Sequence, residues 1–195
     1  MRHRVLPALL LAATLISAPS ASATVYTIDK DHTTVGFKIR HLFSKVSGTF
    51  DDYAGQFTYV PGKPEEWTAE ATIQAASLNT RVAPRDKHLR SADFFDVERY
   101  PTITFKSTKV ADATAAGAKL HGLLSIHGVE QPVVLDLEIH GEAKDPWGNV
   151  RSGFTASTTI NRTDFGLTWN EVVETGQLLV GEDVEITLEV EGLKQ

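Results

Sequence analysis

The chain is 195 residues long and carries 19 Lys+Arg against 25 Asp+Glu, with no cysteine. An acidic balance of this size disfavours nucleic acid and anionic lipid surfaces as partners. The missing thiols exclude a disulfide-stapled scaffold and a lipid-anchored cysteine at a processing site.

Residues 1–23 read as a cleaved signal peptide. Arg2 and Arg4 form a basic start, Val5 to Ile16 an apolar stretch, and Ala21-Ser22-Ala23 a small-residue cleavage site. His3 separates the two arginines, so a general secretory signal is expected, with Thr24 as the mature N-terminus. The apolar stretch is short of the roughly 18 to 20 residues that a membrane crossing needs. Its removal leaves 172 residues with 17 basic against 25 acidic groups, a net charge of −8. That length suits one domain with a substantial core.

From Val25 onward the dominant signal is alternation with a period of two, the mark of strands with one apolar face. Val35, Phe37 and Ile39 alternate with Thr34, Gly36 and Lys38. A strand is expected between Thr49 and Val60, ended by "YVPGKP", and Trp67, Ala69, Ala71, Ile73 and Ala75 form the next apolar face. Ile103 and Phe105 follow, then the small loop "ADATAAGA", then Leu120, Leu124 and Ile126. "HGVEQP" turns the chain into Val133, Leu135, Leu137 and Ile139, and "DPWGN" supplies a tight turn before Phe154, Ala156 and Ile160. Val184, Ile186, Leu188 and Val190 complete about eight strands. Eight such strands bury their apolar faces by closing into a barrel or stacking as a sandwich. An outer-membrane barrel would show two aromatic girdles, which the tryptophans and tyrosines here do not form.

One segment breaks the period. In "RDKHLRSADFFDVERYP" Pro84 suits a first helical turn, Asp86 the positive end of the helix dipole, and Leu89, Phe94 and Phe95 one apolar side. Pro101 then returns the chain to a strand. A short helical insertion around residues 84–95 is expected across one barrel end.

This segment, with "YTIDKDHTTVGFKIRHLFSKVSGTF", "GLLSIHGVEQPVVL" and "INRTDFGL", resembles the YceI-like family over nearly the whole mature chain. The resemblance implies an eight-stranded antiparallel lipocalin-like barrel, exported to the bacterial periplasm, whose lumen binds polyisoprenoids or similar long amphiphiles, including quinones and fatty amides. Two departures, Thr33 where serine is commoner and the acidic order of "VGEDVEI", fall at expected surface or turn positions.

His121 and His140 would approach each other if "GVEQ" formed a hairpin turn, giving at best an adventitious metal site. A hydrolase would use His88 with Asp86, Asp93 or Asp96 and a serine such as Ser91, but no Gly-x-Ser-x-Gly elbow is present. Arg85, Asp86, His88, Arg90 and Asp93 fit local caps and ion pairs instead. "DFG" at Asp164 to Gly166 lacks the other kinase motifs, and Phe165 is assigned to the lumen or its rim, with Gly166 at a bulge or turn. "NRT" at Asn161 matches a glycosylation sequon by coincidence.

Alternation alone leaves a solid core and an open lumen both possible, and the resemblance implies the open one. The expected lining is Phe37, Ile39, Phe43, Ile73, Leu89, Phe94, Phe95, Phe105, Leu124, Leu135, Phe154, Phe165, Leu167 and Trp169. His41, Arg85 and Arg162 are expected at a polar mouth. No catalytic residue, metal or required cofactor is assigned. The bound polyprenyl chain or isoprenoid quinone would be selected by length and shape, with weak discrimination of its head group. At about 0.3 kcal/mol per atom, some forty carbons reach roughly 12 kcal/mol, or nanomolar binding. A monomer or homodimer with transient membrane or membrane-protein contact is expected. The rival classes are a hydrolase or isomerase for an apolar substrate, and a ligand-free stress-related interaction protein.

Overall fold

The computed structural model describes residues 24–195. The expected signal peptide and its cleavage site lie outside the described residues.

The described residues form eleven strands and one α-helix: β1 (Val25–Ile28), β2 (Thr34–His41), β3 (Ser44–Phe50), β4 (Tyr53–Thr58), β5 (Thr68–Gln74), β6 (Leu78–Asn79), α1 (Ala83–Arg90), β7 (Thr102–Ala111), β8 (Gly117–Ile126), β9 (Val129–Lys144), β10 (Val150–Asn161) and β11 (Val180–Lys194). All pairings are antiparallel. β11 closes the ring by pairing along its length with β10, with β2 at Val184 to Glu189, and with β1 at Gly192 to Lys194. β1 and β2 therefore act as one kinked strand against β11. β3 with β4, and β5 with β6, repeat the pattern, because β4 pairs with β1 and β5 while β3 pairs with β2 and β6. Counted this way, eight strands close the barrel, as the alternation and the resemblance predict.

The first kink is held by side-chain chemistry. The Thr33 hydroxyl donates to the Glu191 carbonyl at 3.2 Å and accepts from the Glu191 N–H at 3.1 Å, standing in for a ladder bond where the strand breaks. Thr33 is buried, not the surface or turn residue expected. The β8–β9 turn places His127 and Gly128 at φ of 53° and 75°, the left-handed pair that a two-residue hairpin requires.

The helix is shorter than expected, ending at Arg90, and Ser91 to Val97 continue as tight turns. No side chain caps its start. The Asp86 carboxylate instead reaches back to accept from the Thr80 N–H and hydroxyl. Arg85 donates to the Thr80 hydroxyl and carbonyl, and Arg90 to the Ala76 and Leu78 carbonyls, fastening α1 to β6.

The two barrel ends differ. At the end holding the start of β1, Tyr26 stacks on Phe57 with ring centroids 5.0 Å apart, and Phe154 meets Phe57 edge-on at 5.1 Å. Tyr26 is fully buried, and its hydroxyl, raised in pKa chiefly by burial, donates to Glu142. These rings form a floor. The opposite end carries α1, the β2–β3 hairpin and residues 162–180.

Candidate functional site

Between floor and helix the barrel encloses a cavity of about 430 Å³, within the roughly 300–1,000 Å³ usual for small-molecule sites. Its wall is built by alternation: every second residue of each strand faces inward. Phe37, Ile39 and His41 of β2, Ile73 of β5, Phe105 of β7, Leu124 of β8 and Leu135 of β9 line it. Leu89 and Arg85 of α1, then Phe94, Phe95, Arg162, Leu167 and Trp169, complete the predicted set that the structure brings together.

Three predicted lining residues lie elsewhere. Phe43 is 88% exposed, because Leu42 at φ 47° turns the β2–β3 hairpin there and points Phe43 outward. Phe154 sits too close to the start of β10, beside a register shift at Gly153/Phe154, and belongs to the floor. Phe165 lies in a 3-10 turn, Arg162–Phe165, and is 2% exposed, packed in one core cluster with the lining residues Ile126 and Leu167 without lining the cavity itself. Gly166 ends that turn at φ 77°, as expected. The sequon asparagine has a local role, since Asn161 Oδ1 accepts from the Thr163 N–H and hydroxyl.

The wall also contains residues not assigned to it from sequence. Val184, Ile186, Leu188 and Val190 form an apolar face legible by alternation, and Val35, Ile103 and Ile160 share that signal. The polar lining residues Thr33, Tyr53, Thr80 and Thr158 carried no such signal.

Leu89, Phe94 and Phe95 form a cover held by aromatic contacts. Phe94 lies 5.0 Å from Trp169, Phe95 meets Phe50 edge-on at 5.8 Å, and His88 meets Trp169 edge-on at 4.9 Å. His88 Nε2 lies 2.9 Å from Asp93 Oδ2, while the Ser91 hydroxyl donates to the His88 main-chain carbonyl. Ser91 is thus turned away from the imidazole, and Asp86 is occupied by Thr80, so these residues do not form a nucleophile–base pair.

Arg162 is 3% exposed. Its Nε donates to the Gly181 carbonyl at 2.8 Å and its Nη1 to the Leu167 carbonyl. Burial pushes its pKa below the ordinary guanidinium value, opposed by the field of Glu182.

His121 and His140 do not meet. The β8–β9 register puts His121 opposite Val134, six positions from His140 and roughly 20 Å along the strand. The groups with metal-ligand spacing among the described residues are Asp29, His32 and Glu191. Arg151 already bridges two of them, with Nη1 2.6 Å from Asp29 Oδ2 and 2.5 Å from Glu191 Oε1, and its Nε reaches Asp145 at 3.0 Å. The Arg151 hydrogen bond is the main reason the Asp29 carboxyl is lowered to a pKa of about 2. This cluster is an arginine-centred clasp tying the β1 kink to β10 and β11.

A closed antiparallel barrel with a floor, a helical cover and an apolar lumen defines a lipocalin-like barrel architecture. The YceI-like domain model matches residues 26–192, and the chain belongs to that family. A UPF0312 protein of Pseudomonas putida (strain W619) is 41% identical over 198 residues, covering all of both chains. A crystal structure of the Campylobacter jejuni YCEI protein superposes with a TM-score of 0.70 at 37% identity, covering 86% of this chain and 96% of that one. A polyisoprenoid binding domain from Saccharophagus degradans shares the fold at a TM-score of 0.64 and 17% identity, over 87% and 98% of the two chains.

Proposed function

We propose that this protein is a periplasmic carrier that sequesters a long apolar isoprenoid, a polyprenyl chain or an isoprenoid quinone, in its barrel lumen. The observation that carries this reading is the one-ended cavity of about 430 Å³ whose wall is overwhelmingly aliphatic and aromatic. The printed name of the Saccharophagus degradans domain, a polyisoprenoid binding domain of the same fold, supports it, and the leader-like residues 1–23 support export.

Burial of each methylene is worth about 0.8 kcal/mol, so an isoprene unit leaving water gains several kcal/mol before ordering costs. The chain enters tail-first, stops at Tyr26, Phe57 and Phe154, and leaves its head at the helix end. Phe43, Val82, Val172 and Leu178 are exposed at that same end and offer apolar tips for transient contact with a bilayer during exchange.

The test is native mass spectrometry with lipid extraction of protein purified from its own periplasm. A stoichiometric isoprenoid supports the reading. A reproducibly empty barrel overturns it.

A further inference from the structure

Seven large apolar side chains are exposed among the described residues, and four of them, Phe43, Val82, Val172 and Leu178, gather at the helix end. Scattered single exposures are ordinary on a protein surface, whereas a cluster at one end marks a contact. The sheet order fixes how the four are arranged. Phe43 tips the β2–β3 hairpin. On one flank β2 pairs with β11, and the Leu42 N–H donates to the Leu179 carbonyl at 3.1 Å, beside a bridge between Val172 and Leu178. On the other flank β3 pairs with β6, which leads through Thr80 and Arg81 into Val82 and α1. Phe43 is therefore the middle of an arc, with Val172 and Leu178 to one side and Val82 to the other.

The charge of this arc changes sign across Phe43. Glu171 and Glu174 stand with Val172 and Leu178, while Arg81 and Lys87 stand with Val82, and all four are exposed. None of the four joins an ion pair among the described residues. The cations nearer the tip are engaged: Arg40 donates to the Phe43 carbonyl at 3.4 Å, and Lys45 pairs with Glu185. A bilayer surface is negative or neutral throughout, so it matches only part of such an arc. A second copy of the chain matches all of it. In a two-fold contact one surface meets itself reversed, so a patch that is acidic on one flank and basic on the other is complementary to its own copy.

We propose that the helix end is a self-complementary homodimer interface. Phe43 lies at the two-fold axis against the same residue of the second copy, and Glu171 and Glu174 of each copy face Arg81 and Lys87 of the other. The pairing goes beyond chain sequestration and does not depend on what the lumen holds. In water it covers the apolar tips offered to a bilayer during exchange, so dissociation is the step that frees them. An interface made of loop tips is small, which places the dimer among weak, transient associations.

The experiment is sedimentation velocity on the mature chain over a wide concentration range. A monomer–dimer equilibrium is expected, weakening several-fold from low to high salt as the flank charges are screened. Phe43→Ser should raise the dissociation constant at least about tenfold, the effect of losing an aromatic anchor at the centre of an interface.

Charge reversal tests the arrangement. Arg81→Glu with Lys87→Glu makes both flanks acidic, and Glu171→Lys with Glu174→Lys makes both basic. Neither variant should pair with itself, yet an equimolar mixture of the two should form a heterodimer. Net attraction cannot produce that result, because both variants keep an overall negative charge. All changed residues are exposed, and unaltered melting curves show that each variant is folded. A chain that stays monomeric at every concentration overturns the proposal, and flotation of that monomer with phospholipid vesicles would assign the tips to a bilayer instead. A dimer that survives both charge reversals lies on another surface and overturns it as well. Failure of the two variants to pair with each other overturns the two-fold arrangement. None of these outcomes bears on whether the lumen holds an isoprenoid.

Discussion

Gly48→Ala tests how the lumen is kept open. Gly48 lies directly across from Phe37 in the β2–β3 ladder, and a Cβ built there falls 2.4 Å from Phe37 Cζ and 2.7 Å from Cε1. Ordinary contact begins near 3.4 Å, so the ring must retreat by about 1 Å. Phe50 flanks it with ring centroids 5.7 Å apart, which leaves the cavity as the direction of escape. Replacing a strand glycine gains about 0.4–1 kcal/mol through the unfolded chain, while overpacking costs about 1–3 kcal/mol, so the net effect is destabilising. If the displaced ring excludes one five-carbon isoprene unit at about 0.3 kcal/mol per atom, the loss is about 1.5 kcal/mol, or roughly tenfold in Kd. Urea unfolding reads the first effect, and titration with a C20 isoprenoid alcohol reads the second. Phe37→Leu in the Gly48→Ala background should recover part of both, since the pair is in contact. A Gly48→Ala protein more stable than the parent, with undiminished affinity, would refute the idea that the ring lies on the glycine.

Leu89→Asp should weaken chain retention more than His88→Ala, because it puts a charge on the apolar lining, whereas His88, which also borders the cavity, is paired with the exposed Asp93 and its loss buries no charge; equal, intact retention in lipid extracts of both would move the cover elsewhere. Phe57→Ala should cost about 3–5 kcal/mol in unfolding free energy and lengthen the longest chain that competes for the site, because it removes the central ring of the floor. The Asp29 carboxyl titrates at about 2, below its unfolded value near 4, so its contribution to stability is complete above about pH 4 and is lost as pH falls through 2. Melting temperature followed from pH 5 to pH 2 should therefore drop less steeply in Arg151→Gln than in the parent; parallel curves would show that the clasp contributes no pH dependence.

Much of the barrel was legible because a period of two survives through each strand, and Val184, Ile186, Leu188 and Val190 show it without interruption. What alternation cannot reveal is where along the barrel axis a residue lies. Phe154 has the correct phase for the lumen but sits at the closed end. Phe43 continues the phase of Phe37, Ile39 and His41, yet the chain reverses between His41 and Ser44. Leu42-Phe43 contains none of the Gly, Asn or Asp that usually marks such a turn, so the hairpin left no trace. The kinks at residues 29–33 and 75–77 escaped for a related reason, since each looks like a turn and only pairing across the sheet shows that the strand resumes, whereas the kink at 51–52 falls inside Thr49 to Val60, which reads as one strand. Polar wall residues such as Thr33 and Thr80 are chosen by hydrogen bonds with Glu191 and Asp86, distant or local partners that no hydropathy pattern encodes.

The open lumen and the closed floor come from the same device used at different density. In the lumen, aromatic rings lie over glycines on neighbouring strands: Phe37 over Gly48, and Phe105 over Gly122, where an added Cβ would fall 2.4 Å from the ring. A ring lying against bare backbone uses the space of the missing side chain and leaves the axis free. Phe57 lies over Gly192 in the same manner, an added Cβ there falling 2.5 Å from its ring. At that level, however, Tyr26 stacks on its face and Phe154 meets it edge-on, so three rings span the section that a single ring leaves open. The barrel needs no change of strand number or tilt to pass from cavity to floor. Where the extra rings begin, just beyond Val190 and Ile28, the cavity ends, so the position of the rings along the axis, and not the girth of the barrel, fixes its depth.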